Sequence, residues 1–378
     1  MSQFLKTYLP FHDGLASRWF CLRQAVRNAS KRNTGRPVVF LEATALGDRH
    51  LYLLAEFFIQ AGYFVSIVGG IRKELYYYRD PYYFYVFSSK NINFVKEVGS
   101  GDLGNALLCT DRAVPGHQEE RFPRILRLSY DIDIAPENAG AVVILPYPMH
   151  PNVYKTGQLA RIPELRGRPK TVGVFFAGNL KDQYARTTRL LRGMLPRAVA
   201  VQGVLRRFKE RVRLFTTREA LLRALDEEDL AASIVVFDAT TARLGREEWF
   251  PVLARSRFFL ALPGVVMPMC HNGVEAMALG AVPILGYGHL FSPRLRSGAV
   301  CLEYASEAEL AGAIETALAM DAAAYDGLRG RAMDHFDRHM EPAAFLEALL
   351  RGPARVIDVR FPAEFVSEAV AGGNGTAG

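Results

Sequence analysis

Asn272 and Glu275 stand three residues apart, after a loop rich in proline and at the head of an apolar run. The segment 257–288, RFFLALPGVVMPMCHNGVEAMALGAVPILGYG, reads strand, tight loop, helix, strand. A helix starting here aims unpaired N–H groups and a partial positive charge at whatever precedes it, which suits a phosphate. Cys270, His271, Asn272 and Gly273 supply those amides, and a carboxylate one turn in, Glu275, can accept hydrogen bonds from a ribose diol. The same spacing fits a capping box, with Asn272 as N-cap and Glu275 at the third position, in which both residues serve only the helix. Tyr287, at the end of the segment, joins the candidate ligand residues.

Charge points the same way. The chain has 378 residues and a formal net charge of +7. From Lys181 to Arg213, ten Lys/Arg stand against Asp182 and Glu210, so this stretch carries the whole excess and the remainder is close to neutral. A protein basic in one stretch calls for an anion there and is not generically adhesive for polyanions.

The elements that must position these residues form a repeating βα pattern. A strand at 38–41, a loop at 43–47, a helix at 51–61 and a strand at 63–68 make the first unit of a parallel sheet. Strands at 106–109 and 142–145 extend it. A Pro/Gly/Arg stretch at 163–170 reads as a linker. The pattern then restarts, with strands at 172–177, 212–215, 234–237, 258–262, 282–285 and 300–302. Helices are expected at 218–225, 273–279, 307–319, 322–335 and 342–350. The expected organisation is a βα domain over 1–162, a second βα domain over 171–340, a C-terminal helical segment over 341–370 that packs back on the first domain, and a flexible tail over 371–378. Ligands in such sheets sit at the carboxyl ends of the strands.

Glu275-Ala276-Met277-Ala278-Leu279-Gly280-Ala281-Val282-Pro283-Ile284-Leu285 resembles the nucleotide-sugar helix of GT-B glycosyltransferases, and the wording from Arg257 to Leu285 is most similar to their exostosin-like branch. Val174-Phe175-Phe176-Ala177-Gly178-Asn179 with Arg186 after it, and Ile144-Leu145-Pro146-Tyr147-Pro148, resemble two further segments of that branch. The resemblance implies a GT-B fold, an α/β pair of Rossmann-like domains with a cleft between them, 1–162 as the acceptor domain and 171–340 as the donor domain. It implies a donor that is a nucleotide-diphosphate sugar, UDP- or GDP-linked, used without a metal. Side chains and helix dipoles must then neutralise the diphosphate. Arg186 suits that task by its planar fork, with Lys181 and Arg189 as second choices. Gly178, Asn179, His271, Asn272, Gly273 and Tyr287 complete the implied donor site. Met267 stands eight positions before Glu275 where a retaining EX7E enzyme carries a second Glu. The retaining pair is therefore absent, and Glu275 corresponds to the ribose-binding member alone.

An inverting transferase needs a base for the acceptor hydroxyl. Asp48, in the strand-to-helix loop after Gly47, is one candidate, and its competing role is the N-cap of the following helix. His150, beside Pro151, is the other; it has a pKa near working pH, and its competing role is structural. Glu42, His50, Asp131 and Asp133 are further candidates, the last two as acceptor contacts or a turn. Tyr77 and Tyr78 lie in an aromatic run, 76–87, that reads as a stacking platform for sugar or lipid or as buried packing. Most arginines from Arg192 to Arg213, Arg197 included, read as a solvated face, with an anionic membrane surface as a partner for some.

Composition excludes disorder, since half the residues are hydrophobic. The scattered Cys21, Cys109, Cys270 and Cys301 predict neither a disulfide framework nor a zinc site. No stretch reads as a signal peptide or a membrane span, so a cytoplasmic enzyme, peripheral at the inner membrane face, is expected. The acceptor is expected to be a glycan or lipid-linked glycan, and no nucleic acid is expected. A nucleotide-sugar epimerase and a non-catalytic polyanion- or glycan-binding protein are the competing readings.

Overall fold

The computed structural model describes residues 31–69, 82–99, 103–132, 142–185 and 193–363, with Val26, Asn28 and Leu191. The expectations for Tyr77, Tyr78, Asp133, Arg186, Arg189 and the tail lie outside these residues, as does the side chain of Asp48. The chain divides into two compact units, Met1–Tyr130 with Pro342–Gly378, and Asp131–Glu341.

The first unit opens with β1 (Val38–Glu42), α1 (Asp48–Gln60) and β2 (Phe64–Val68). α2 (Tyr82–Ser88), β3 (Ile92–Val95), β4 (Ala106–Thr110), α3 (Gly116–Glu119) and β5 (Arg124–Ser129) follow. These strands pair in parallel in the order β3-β2-β1-β4-β5. Winding therefore reverses between β1 and β4, and the carboxyl ends of those two strands are the place for a ligand. Asp111, one residue past β4, organises that end. It accepts from Thr44 Oγ1 at 2.9 Å, Ala45 N at 2.8 Å and Tyr130 Oη at 2.9 Å. The described part of the aromatic run is packing: Tyr85 meets Tyr52 edge-on at 5.5 Å, and Phe87 stacks on Phe94 at 4.7 Å.

The second unit takes in residues expected to close the first domain. It holds β6 (Val143–Ile144), α4 (Pro151–Lys155) and α5 (Ile162–Arg166). The 163–170 stretch is not a bare connector. Leu165 is fully buried, Arg166 Nε donates to Ala278 O at 2.6 Å, and Lys170 Nζ donates to Ala254 O and Leu279 O, each at 2.8 Å. Its basic residues thus cap carbonyls at the ends of two helices.

The remaining elements are β7 (Val172–Gly178), α6 (Arg197–Arg207), β8 (Val212–Phe215), α7 (Arg218–Glu227), β9 (Leu230–Asp238), α8 (Arg246–Leu253), β10 (Ser256–Leu260), α9 (His271–Ala278), β11 (Val282–Leu285), β12 (Leu302–Glu303), α10 (Glu307–Ala319) and α11 (Ala322–His339). The sheet is parallel, in the order β12-β11-β10-β7-β9-β8. Strands buried on both faces read as apolar runs, which is why most of them were visible in the sequence. Val174, Phe176, Ile234, Val236, Phe258 and Leu260 face one core with α6, α10 and α11. Their alternates Phe175, Val235, Phe237 and Phe259 face the other, with α7, α8 and α9.

The chain then returns to the first unit through α12 (Pro342–Leu350) and β13 (Val356–Arg360). Phe345 packs edge-on against Phe57 of α1 at 6.1 Å. The expected helical segment 341–370 is corrected over its middle, because Val356–Arg360 is a strand parallel to β5, with Val356 opposite Ile125 and Arg360 opposite Ser129. Three β-branched residues in five favour that state. Both units are Rossmann-like parallel βα folds. Among the described residues no helix is long and apolar enough to cross a membrane.

Candidate functional site

The winding of the second sheet reverses between β7 and β10, so its ligand position lies outside their carboxyl ends. Gly178 closes β7 there. Asn179 follows, and its Oδ1 accepts from Lys181 N at 2.9 Å and from Thr240 Oγ1 at 3.3 Å, a tight polar turn. Lys181 itself is exposed.

Arg197, the first residue of α6, reaches this edge. Its Nε donates to Pro263 O at 2.9 Å, and its guanidinium lies over the Tyr184 ring at 4.3 Å. A Cβ on Gly178 would lie 3.5 Å from Arg197 Nη1, so the glycine and the arginine are neighbours. The solvated-face reading of the basic stretch is thereby corrected for Arg197, whose side chain turns to the strand ends. That reading describes Arg206, Arg207 and Arg213 well. They pair with Glu307, Glu315 and Glu228 at 3.1, 3.0 and 2.6 Å.

Helix α9 begins beside the same edge, since Asn272 Nδ2 donates to Ala177 O at 3.1 Å. Its N-cap is Cys270, which makes no side-chain capping bond. Asn272 is the second helical residue, so the capping-box alternative does not hold. The first turn of a helix presents N–H groups that lack intrahelical acceptors, together with the positive end of the dipole. Gly273 lets this turn approach the chain just past β10, for a Cβ there would sit 3.2 Å from Ala261 Cβ and 3.6 Å from Tyr287 Oη. Tyr287 is buried, stacks on Phe291 at 6.2 Å, and its hydroxyl lies 3.3 Å from Cys270 Sγ. Burial pushes the Cys270 thiol and the Tyr287 hydroxyl up, and the Arg197 charge opposes both. Tyr304, also buried, has a hydroxyl without a hydrogen-bond partner among the described residues.

Glu275 is fully buried. Its Oε1 accepts from the His150 backbone N–H at 2.7 Å and its Oε2 from Trp249 Nε1 at 2.6 Å. Burial raises its pKa to about 6, with the two donors pulling the other way. His150 caps α4, its Nδ1 accepting from Asn152 N at 3.2 Å. Its ring meets that of His271 edge-on at 5.6 Å. His150, expected in the acceptor domain, thus belongs to the second unit with Glu275 and His271.

Of the other base candidates, Asp48 opens α1, with Gly47 and not Asp48 as the N-cap. Glu42 is engaged by Thr110 Oγ1 at 3.0 Å and Arg112 at 3.4 Å. His50 is buried against Phe361, and burial lowers its pKa to about 4. Asp131 is exposed at the start of the second unit. Among the described residues no three His, Cys, Asp or Glu side chains gather to hold a metal ion.

No family model matches the chain. No curated protein matches it either. Solved structures do show a likeness. HepE from Anabaena in complex with UDP is 11% identical, over 83% of this chain and 98% of that one, with a TM-score of 0.44. Sucrose-phosphate synthase from Thermosynechococcus elongatus is 13% identical, over 84% and 98%, with a TM-score of 0.40. AviGT4, a glycosyltransferase involved in avilamycin A biosynthesis, is 11% identical, over 83% and 96%, with a TM-score of 0.39.

Proposed function

We propose that the chain is a glycosyltransferase that moves a sugar from a UDP- or GDP-linked donor to a glycan or lipid-linked glycan. The observation that carries this reading is the meeting of Arg197, the Gly178 turn and the N-terminal turn of α9 at the switch point of the second sheet. A guanidinium and a helix N-terminus together suit a diphosphate, whose charge grows as the sugar leaves. The sequence resemblance to exostosin-like GT-B enzymes, and the pairing of two Rossmann-like units in one chain, support the same reading.

In this reading Arg197 and Lys181 neutralise the leaving diphosphate, so that no metal is required, and Arg186 adds to them. Asp48 or His150 takes the proton of the attacking hydroxyl, and the missing second glutamate at Met267 favours inversion. Incubation with a panel of nucleotide sugars tests the proposal. Slow release of the nucleoside diphosphate, quickened by an acceptor glycan, is expected. A product with altered sugar still joined to its nucleotide marks an epimerase instead. No binding of any nucleoside diphosphate by the protein defeats the reading. Full turnover in both Asp48→Asn and His150→Ala removes these two as bases.

A further inference from the structure

The segment from Leu145 to Pro151 contains Pro146, Pro148 and Pro151, so it has few N–H groups with which to fix its own path. Two of the remaining donors go to side chains and not to a strand. Met149 N donates to Tyr154 Oη at 3.0 Å, and His150 N donates to Glu275 Oε1 at 2.7 Å. The second oxygen of Glu275 is held by Trp249, whose indole packs against Phe175 and Phe259 with centroids 6.3 and 6.4 Å away. A buried carboxylate thus bridges a rigid aromatic anchor on α8 and a proline-rich loop without a ladder of its own.

That loop in turn holds His271. Pro148 O lies 2.7 Å from His271 Nδ1, and a carbonyl only accepts, so this nitrogen carries the proton. The Tyr147 ring is tilted against the His271 ring at 5.1 Å, and the His150 ring stands nearly perpendicular to it at 5.6 Å. Burying a carboxyl among apolar groups is costly unless its bonds are made, so both donors matter to where the loop sits.

We infer that Glu275 is a positioning residue: it ties the 146–150 loop to α9 one turn past the helix start and holds His150 beside His271, in place of contacting a ribose. This rests on the donor-site reading above only for its functional consequence. The loop-holding itself is a property of the folded chain.

Amide hydrogen exchange and nucleotide binding test it together, on wild type, Glu275→Gln and Trp249→Phe. Glu275→Gln keeps the shape but sets an amide N–H₂ against one of two donors. Trp249→Phe removes the Oε2 donor and leaves the carboxyl in place, so it serves if the first variant does not fold. Exchange at Tyr147, Met149 and His150 is expected to quicken tenfold or more in Glu275→Gln and in the same direction in Trp249→Phe, with β7 and β10 still protected. Affinity for UDP and for its 2′,3′-dideoxy analogue is expected to fall by the same factor, leaving their ratio at the wild-type value. Unchanged exchange at His150 overturns the inference. So does a ratio that collapses to one in Glu275→Gln while Trp249→Phe keeps it, because that marks a ribose contact. Wild-type protein that binds neither nucleotide defeats the proposed function, and the exchange result still decides the loop.

Discussion

Arg197 Nε donates to the carbonyl of Pro263 at 2.9 Å, so the start of α6 is fastened to the loop that leaves β10. Tyr184 beneath the guanidinium at 4.3 Å narrows its freedom further. A preorganised fork of this kind loses little entropy when it takes a phosphate. Arg197→Ala is expected to weaken nucleoside diphosphate binding by about 10–100-fold, the scale of a charge-assisted hydrogen bond or two. Arg197→Lys should recover only part, since an ammonium cannot hold Pro263 and a phosphate in one plane. Titration calorimetry of each variant with UDP and GDP reads this out, and undiminished binding by Arg197→Ala removes Arg197 from the site.

Arg206 and Arg207 belong to the same basic stretch and predict the opposite. Both are exposed and paired to glutamates of α10. Exposed pairs contribute about 0–1 kcal/mol. The double variant Arg206→Gln, Arg207→Gln is expected to unfold within about 1 kcal/mol of wild type in urea and to bind nucleotide as before. A tenfold loss of nucleotide affinity would show that the stretch acts as a whole.

The contrast between these arginines shows where sequence reading stops. Strands such as β7 and β10 were legible because both faces are buried and the residues are apolar throughout. β5 is not legible because Arg124 and Arg127 interrupt it, and β13 because Asp358 and Arg360 do the same. Helix α9 is legible from its loop and apolar run, though the capping-box alternative places its cap two residues past Cys270. Arg197 was not separable from its neighbours, because only the folded path from Gly178 to Pro196 decides which arginine starts a helix at the strand ends. The tie between Glu275 and His150 spans 125 residues and no local pattern encodes it.

Gly273 predicts a packing effect at the same helix. A methyl group there would press on Ala261 Cβ at 3.2 Å, with the Tyr287 hydroxyl at 3.6 Å and Cys270 Sγ at 3.8 Å behind it. Ala261 Cβ is attached directly to the backbone just past β10, so the helix or the strand end must give by a few tenths of an ångström. Gly273→Ala is expected to destabilise the protein by about 1–3 kcal/mol, as overpacking of a filled core does. It should weaken nucleotide binding beyond what the stability change requires. Thermal unfolding with and without UDP separates the two, and a stabilised variant, gaining from reduced chain entropy, would show that the contact relaxes freely.

His50 predicts the pH dependence of the first unit. It is 3% exposed, meets Phe361 edge-on at 6.5 Å, and its pKa falls to about 4 through burial and the neighbouring Arg49 charge. The unfolded chain takes up this proton near pH 6.5, while the folded one resists until about pH 4. The unfolded state therefore binds more protons between those values, and stability falls as pH drops through that window. The contribution is fully present above pH 6.5 and, at about 1.4 kcal/mol per unit, amounts to about 3 kcal/mol lost by pH 4. Urea unfolding at pH 7.5, 6, 5 and 4 is expected to show this slope in wild type and a shallower one in His50→Leu, whose side chain fills the site without a proton to bind. Equal slopes in the two proteins would show that His50 is hydrated or paired in the folded chain and that other groups carry the acid sensitivity.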